Sequence, residues 1–264
     1  MKDIWKNRNL IWTLAANDFK ERYAGSYLGA VWAMIQPVVT IAMYYIVFDV
    51  IMGAGAQSGP RATSMPYVMF LTAGLVPWFF FSEALTQGTS ALVRYTYLVK
   101  KVVFNVSILP LIKVVAAIYI HLFFMVVMLI MSVIYGYTPS LYWLQLPYYS
   151  LCTFILVLGM AYITSAVMVF FRDIAQIIGI CLQLGMWATP ILWNIESIGT
   201  TAAKIISLNP LVYVVSGYRN AVTSAAFFWE DMGQTLYFWI VTLIIMILGV
   251  RIFEKLKPHF ADVL

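Results

Sequence analysis

Long apolar stretches broken by short, mostly basic polar ones set the pattern of this chain. Six runs, at about 27–52, 66–90, 108–134, 147–171, 174–194 and 234–252, each approach the roughly 20 residues a helix needs to cross the bilayer core. Backbone polar groups in lipid must be satisfied within their own segment, so runs of this length predict helices rather than open strands. Ahead of the first run, Ile4, Trp5, Ile11, Trp12 and Phe19 recur at heptad-like intervals among Lys2, Lys6, Arg8, Lys20 and Arg22. That spacing predicts an amphipathic helix over residues 1–26, lying flat in the membrane interface.

Two further stretches break the simple alternation. Ala91 to Ser107, "ALVRYTYLVKKVVFNVS", mixes apolar and basic residues without enough uninterrupted length to cross, and reads as a short helix between the second and third spans. Its alternative is an ordinary basic loop. Within residues 195–232, "SLNPLVYVVSGYRNAV" offers Asn209 as an N-cap and Pro210 at the first helical position. Leu211, Val214, Val215, Tyr218 and Val222 follow at helical spacing, and Arg219 sits among them. A partly immersed outer helix is expected here. The fold class is therefore an all-α membrane protein: six transmembrane helices, an N-terminal interface helix and short outer re-entrant helices, in one domain over 1–264.

Composition sharpens this. Of 264 residues, 63% are hydrophobic and only 10% charged, against roughly 25% charged in soluble domains. The net charge of +5 is scattered near the ends of apolar segments rather than gathered on one face, which argues against nucleic-acid binding. If the N-terminus is cytoplasmic, every Lys and Arg except Arg61, Lys204 and Arg219 falls on the inside, as the positive-inside rule requires; both termini are then cytoplasmic. The run from Tyr27 to Met52 is too long for a signal-peptide core, although Gly53-Ala54-Gly55-Ala56 resembles a cleavage site. Cys152 and Cys181 stand singly within apolar runs and suggest packing residues, not a disulfide or a metal site.

Candidate chemistry is sparse. His121 and His259 are the two histidines, without metalloprotease spacing. His121 shares a helical stripe with Lys113 and Ala117, and is either functional or part of an interhelical hydrogen bond; Lys113 lies near enough to the inner end to snorkel. Glu83 and Asp49 sit toward span ends without a relay partner in sequence, which weakens a proton-driven transporter. No Gly-Lys dipeptide occurs, hence no phosphate-cradling loop, and "GAGAQSG" (Gly53 to Gly59) reads as a flexible outer turn. If ATP drives this chain, another polypeptide binds it.

Five motifs in order carry a resemblance: "RYAGSYLGAVWAMIQP" (Arg22 to Pro37), "FFRDI" (Phe170 to Ile174), "ATPILW" (Ala188 to Trp193), "LNPLVYVVSGYRNAV" (Leu208 to Val222) and "FADVL" (Phe260 to Leu264). Together they resemble the permease subunits of type 2 ABC exporters that carry lipid-linked polysaccharides and teichoic acids. The resemblance implies a transport subunit without catalysis or cofactor of its own. It also implies a likewise paired second copy, and a separate ATPase subunit holding ATP and Mg. The cargo implied is an undecaprenyl-diphosphate-linked glycan or polyol-phosphate polymer crossing the plasma membrane. By position in the family, Glu21, Arg22 and Tyr23 would meet the ATPase, as would Arg94, Lys100 and Lys101. "PSLYWLQL" (Pro139 to Leu146) and the ending lean toward the teichoic-acid branch. A permease for drugs or lipids, and a membrane-embedded transferase, are the alternatives.

Sugar rings stack their C–H faces on aromatic side chains, so a polymer path calls for a ladder of rings. Tyr44, Tyr45, Phe48, Phe70, Trp78, Phe79, Phe80, Phe81, Trp187 and Trp193 are the candidates, though aromatics also serve interfacial belts and helix packing.

Overall fold

The computed structural model describes residues 8–23, 29, 31–53, 55, 57–58, 64–100 and 105–264, and of Arg8, Tyr23, Gln57 and Ser58 the backbone alone. Among these, nine helices set the architecture. They are α1 (Arg8–Tyr23), α2 (Val31–Tyr44, continued by a π-helical stretch Tyr45–Ile51), α3 (Tyr67–Thr89), α4 (Leu109–Ile134) and α5 (Gln145–Phe170). After them come α6 (Ile174–Ala188), α7 (Thr200–Ile206), α8 (Pro210–Thr223) and α9 (Met232–Leu256). Two single-turn helices, Ala91–Arg94 and Thr96–Val99, follow α3 where a short helix was expected over 91–107, of which 101–104 lie outside the described residues. A two-residue antiparallel ladder pairs Gln57 with Met65 and Ser58 with Ser64. The all-α expectation holds.

Among the described residues, five helical stretches are long and apolar enough to cross a membrane: Val31–Ile51, Tyr67–Thr89, Val106–Ile134, Leu141–Phe170 and Met232–Val263. The run expected to span 174–194 forms a shorter helix and a turn. α6 has 15 residues, about 22 Å at 1.5 Å per residue, and Thr189 is extended (φ −88°, ψ 136°) because the following Pro190 disfavours the helical conformation before it.

α3 forms the axis, buried along nearly its whole length and packed against α4, α5, α6 and α8. α2 and α9 lie outside it and turn Val38, Val39, Met43, Ile240, Ile244 and Ile247 outward, as helices facing lipid or another subunit do. The long helices alternate in direction, which gives the bundle two ends. The near end carries the C-terminus of α3, the start of α4 and the C-terminus of α9, joined where the Ser107 hydroxyl donates to Glu254 at 3.0 Å. The far end carries the start of α3 and α8, where the Tyr67 hydroxyl donates to the Leu192 carbonyl at 3.0 Å.

Two helices show packing that the hydropathy pattern leaves open. α1 buries Ile11, Ala15 and Asp18, a stripe at helical spacing that continues to Arg22, and packs on α4. Of the expected apolar set, Trp12 is 53% exposed, Trp12 and Phe19 flank Tyr119 with centroids at 6.4 and 5.7 Å, and Ile4 and Trp5 lie outside the described residues. The stripe ends in Asp18 and Arg22, which face inward because charged groups of other helices meet them there. α8, expected as a partly immersed outer helix, packs deep within the protein, with Val214, Val215 and Tyr218 fully buried. Its N-cap is as expected: the Leu211 N–H donates to the Asn209 side chain at 3.0 Å. Gly217 allows that depth, since a Cβ there would collide with the Tyr149 ring.

Candidate functional site

At the near end, four separate elements meet in one ionic cluster. Asp18, on the inner face of α1, pairs with Lys113 of α4 and accepts a hydrogen bond from the Tyr95 hydroxyl at 2.7 Å. Arg22, one turn further on α1, lies 3.5 Å from the second Asp18 oxygen and pairs with Glu83 of α3. The Lys113 ammonium also sits 4.6 Å above the Tyr95 ring, a favourable cation–π position. Tyr95 belongs to the short turns after α3, so α1, α3, α4 and that segment share one set of charges. Burial, reinforced by the hydrogen bond to Asp18, pushes the Tyr95 phenol above its ordinary range; it stays protonated and remains a donor.

The energetic logic fixes α1. Lys113 and Asp18 are both almost wholly buried, and removing one member of such a pair strands the other charge at a cost of about 3–5 kcal/mol. The expectation that Lys113 snorkels is therefore corrected: its ammonium turns inward to a carboxylate supplied by another helix. Arg22 likewise points into the cluster, while Glu21, Arg94 and Lys100 are exposed at this end. Glu21 lies near enough to act on Tyr95 electrostatically. Lys101 lies outside the described residues, as does the side chain of Tyr23. Asp18 and Tyr95 escaped the sequence reading. The i, i+4 spacing of Asp18 and Arg22 was a usable signal for the first; nothing local marked the second.

A second buried cation organises the far end. Arg219 of α8 donates to the carbonyls of Pro190 (2.7 Å), Ile191 (2.9 Å) and Phe70 (3.3 Å), with its guanidinium 3.4 Å from the Phe70 ring centroid. Asn209 adds a hydrogen bond to the Thr189 hydroxyl at 2.9 Å. The planar guanidinium thus ties the turn after α6 to α3 and α8. Burial pulls it down to about 9, with Tyr67 opposing the shift, so it remains charged at neutral pH. Nearby, the Tyr148 and Tyr213 hydroxyls lie 3.0 Å apart and Trp239 donates to Tyr148 at 3.0 Å, which joins α5, α8 and α9.

His121 is separate from both. Its Nε2 lies 3.0 Å from the Ser150 hydroxyl and 3.1 Å from that of Tyr218, which are 2.7 Å from each other, and Phe80 stacks on its ring at 4.5 Å. The arrangement is the interhelical hydrogen bond that was one of the two readings of this residue. Among the described residues no three His, Cys, Asp or Glu side chains group as metal ligands.

The aromatic candidates divide. Phe70, Trp78, Phe80 and Phe81 are buried in helix packing, Trp78 against Gly185 of α6, where a Cβ would lie 3.2 Å from its ring. Tyr44, Tyr45, Phe48, Phe79 and Trp193 are half-buried and Trp187 is exposed. Tyr44, Phe48, Tyr67 and Phe70 follow one another at 6.2, 6.1 and 6.3 Å, and the Trp193 indole donates to the Trp187 carbonyl at 2.9 Å. Tyr67, the ring that links Phe48 to Phe70 in this run, was not among the candidates.

Residues 9–223 match the family model described as ABC-2 type transporter. The chain is 30% identical over 257 residues to an O-antigen export system permease protein RfbA of Klebsiella pneumoniae, covering 97% of this chain and 95% of the relative. It is 29% identical over 268 residues to the protein of the same name from Myxococcus xanthus, covering 99% and 98%.

Proposed function

The chain belongs to the ABC-2 type transporter family, and from that premise we propose that it is the membrane subunit of an ATP-driven exporter of a lipid-linked surface polysaccharide. Two copies work with a separate ATPase subunit that holds ATP and Mg, the termini lie in the cytoplasm, and the near end faces the ATPase. The cargo is an undecaprenyl-diphosphate-linked polymer of the O-antigen type, in keeping with what the relatives are named for; a teichoic acid is the second reading, favoured by "PSLYWLQL" and "FADVL".

The observation that carries the mechanism is the cluster of Asp18, Arg22, Glu83, Tyr95 and Lys113. An engine pressing on the near end would first touch exposed residues such as Glu21, Arg94 and Lys100. Because α1 and the segment after α3 are joined by buried charges to α3 and α4, a push on either moves the bundle axis rather than a loose appendage. The six-crossing reading is supported by α6 and its turn together: α6 begins beside the near-end helix termini, and Ile191, just beyond it, meets Arg219 near the start of α3. Of the aromatic candidates, the half-buried Tyr44, Phe48 and Trp193 and the exposed Trp187 supply the path for sugar rings, with the buried Tyr67 and Phe70 backing them.

The test is export itself. Cells lacking the chain should hold lipid-linked polymer inside and display none outside, and the wild-type chain should restore display and co-purify with an ATP-hydrolysing subunit. Asp18→Asn should leave the complex assembled but uncouple ATP turnover from display. Covalent transfer by the purified chain alone in liposomes would overturn the proposal.

A further inference from the structure

Between α5, α9 and the start of α4 lies a cavity of about 460 Å³, within the roughly 300–1,000 Å³ range of small-molecule sites. Its origin is a glycine crossing. A Cβ on Gly249 would collide with the Gly159 carbonyl, and one on Gly159 would lie 2.9 Å from the Met246 Cα, so the two backbones touch there. Leu158, Met246 and Val250 line the apolar part of the cavity; Ser107, Glu254 and Lys257 stand at its polar end.

The polar end sets the Lys257 ammonium beside the Glu254 carboxylate. The Lys257 ammonium donates to the Ser107 hydroxyl at 3.0 Å and reaches Glu254 at 3.5 Å. Ser107 is itself fixed, its hydroxyl donating to Glu254 at 3.0 Å and its carbonyl accepting from Tyr162 at 2.9 Å. Lys257 is 35% exposed and Glu254 53% exposed. An incoming phosphate oxygen can therefore take over the ammonium and the hydroxyl while the Glu254 carboxylate turns to water. Arg251 and Lys255, both exposed on the same stretch of helix, add positive potential at the mouth. Val250 is 43% exposed on the outward side of α9, so the apolar part of the cavity opens toward the bilayer.

We propose that this groove holds an anionic phospholipid of the surrounding membrane, its phosphate on Lys257 and Ser107 and an acyl chain along Leu158, Met246 and Val250. A basic pocket between membrane helices selects anionic headgroups because net charge adds to the apolar contact that every lipid provides. The site is independent of the polymer the chain exports.

The experiment uses the purified full chain in neutral detergent, with phosphatidylglycerol and phosphatidylcholine as competing probes and lipid adducts read by native mass spectrometry. The wild type should retain phosphatidylglycerol in preference to phosphatidylcholine. Lys257→Gln should weaken retention about fivefold, the loss expected for one cation at a membrane surface. Lys255→Gln, outside the groove lining, should weaken it less, and Leu158→Trp should block both lipids at this site. Equal retention of the two lipids, equal losses in Lys257→Gln and Lys255→Gln, or unchanged retention in Leu158→Trp would each overturn the assignment. So would displacement of the phospholipid, one for one, by a polyprenyl diphosphate, because the groove would then be a cargo site.

Discussion

Lys113 and Arg219 are both buried cations, and the bundle treats them in opposite ways. At the near end Lys113 meets a carboxylate, Asp18, that arrives on a peripheral helix. At the far end Arg219 is cradled by three main-chain carbonyls and an aromatic ring. A charge pair between separate helices gives a junction whose partners can move together, or part at a definite cost. A carbonyl cradle cannot be released without unmaking the turn that presents it. The near end is thus suited to receive force and the far end to keep its shape.

Variants can break this contrast, and the largest effect is expected at the cradle. Arg219→Leu strands the buried Pro190 and Ile191 carbonyls at about 1–3 kcal/mol each, while the Phe70 carbonyl keeps its place in the α3 ladder; thermal unfolding in detergent would measure the loss, and Arg219→Lys should recover only part. Asp18→Asn comes next, at about 3–5 kcal/mol for a stranded Lys113 charge. Combining it with Lys113→Met should restore most of that stability without restoring export, and a double-mutant cycle that showed no coupling would dissolve the proposed junction. Tyr95→Phe removes one hydrogen bond to a charged acceptor, worth roughly 1.5 kcal/mol, and should raise protease cleavage between α3 and α4 while the rest of the fold persists. Glu83→Gln should cost least, under about 1 kcal/mol, because its carboxylate is about one-third exposed and screened. Its signature would be lost ATP coupling, not lost stability.

Arg22 sharpens the same point. The family resemblance implied a residue facing the ATPase, and its guanidinium is turned to Asp18 and Glu83. Charge reversal there would set a third carboxylate beside two others, so lost association in such a variant would report a displaced α1 rather than a missing surface contact. Glu21 and Lys100, exposed at the same end, are the cleaner probes of that surface.

Apolar run length made the membrane helices legible, because crossing a bilayer imposes a local requirement on consecutive residues. The Asn209-Pro210 start of α8 was legible for a similar reason: a cap is satisfied within two residues. The early end of α6 was also encoded locally, in the Thr189-Pro190 step, but hydropathy masked it. The depth of α8 was not legible, since Arg219 suggested water nearby until its three carbonyl partners came from α3 and the turn after α6.

The sequence by itself determined a membrane-embedded helical chain of this transporter family, because hydropathy, caps and ordered motifs are properties of neighbours along the backbone. Tertiary structure alone decided which charges meet: Asp18 with Lys113 and Tyr95, Arg22 with Glu83, Lys257 with Ser107. Charge pairing in low dielectric depends on distance in space and on what excludes water. Neither is written in the order of residues until the helices have packed.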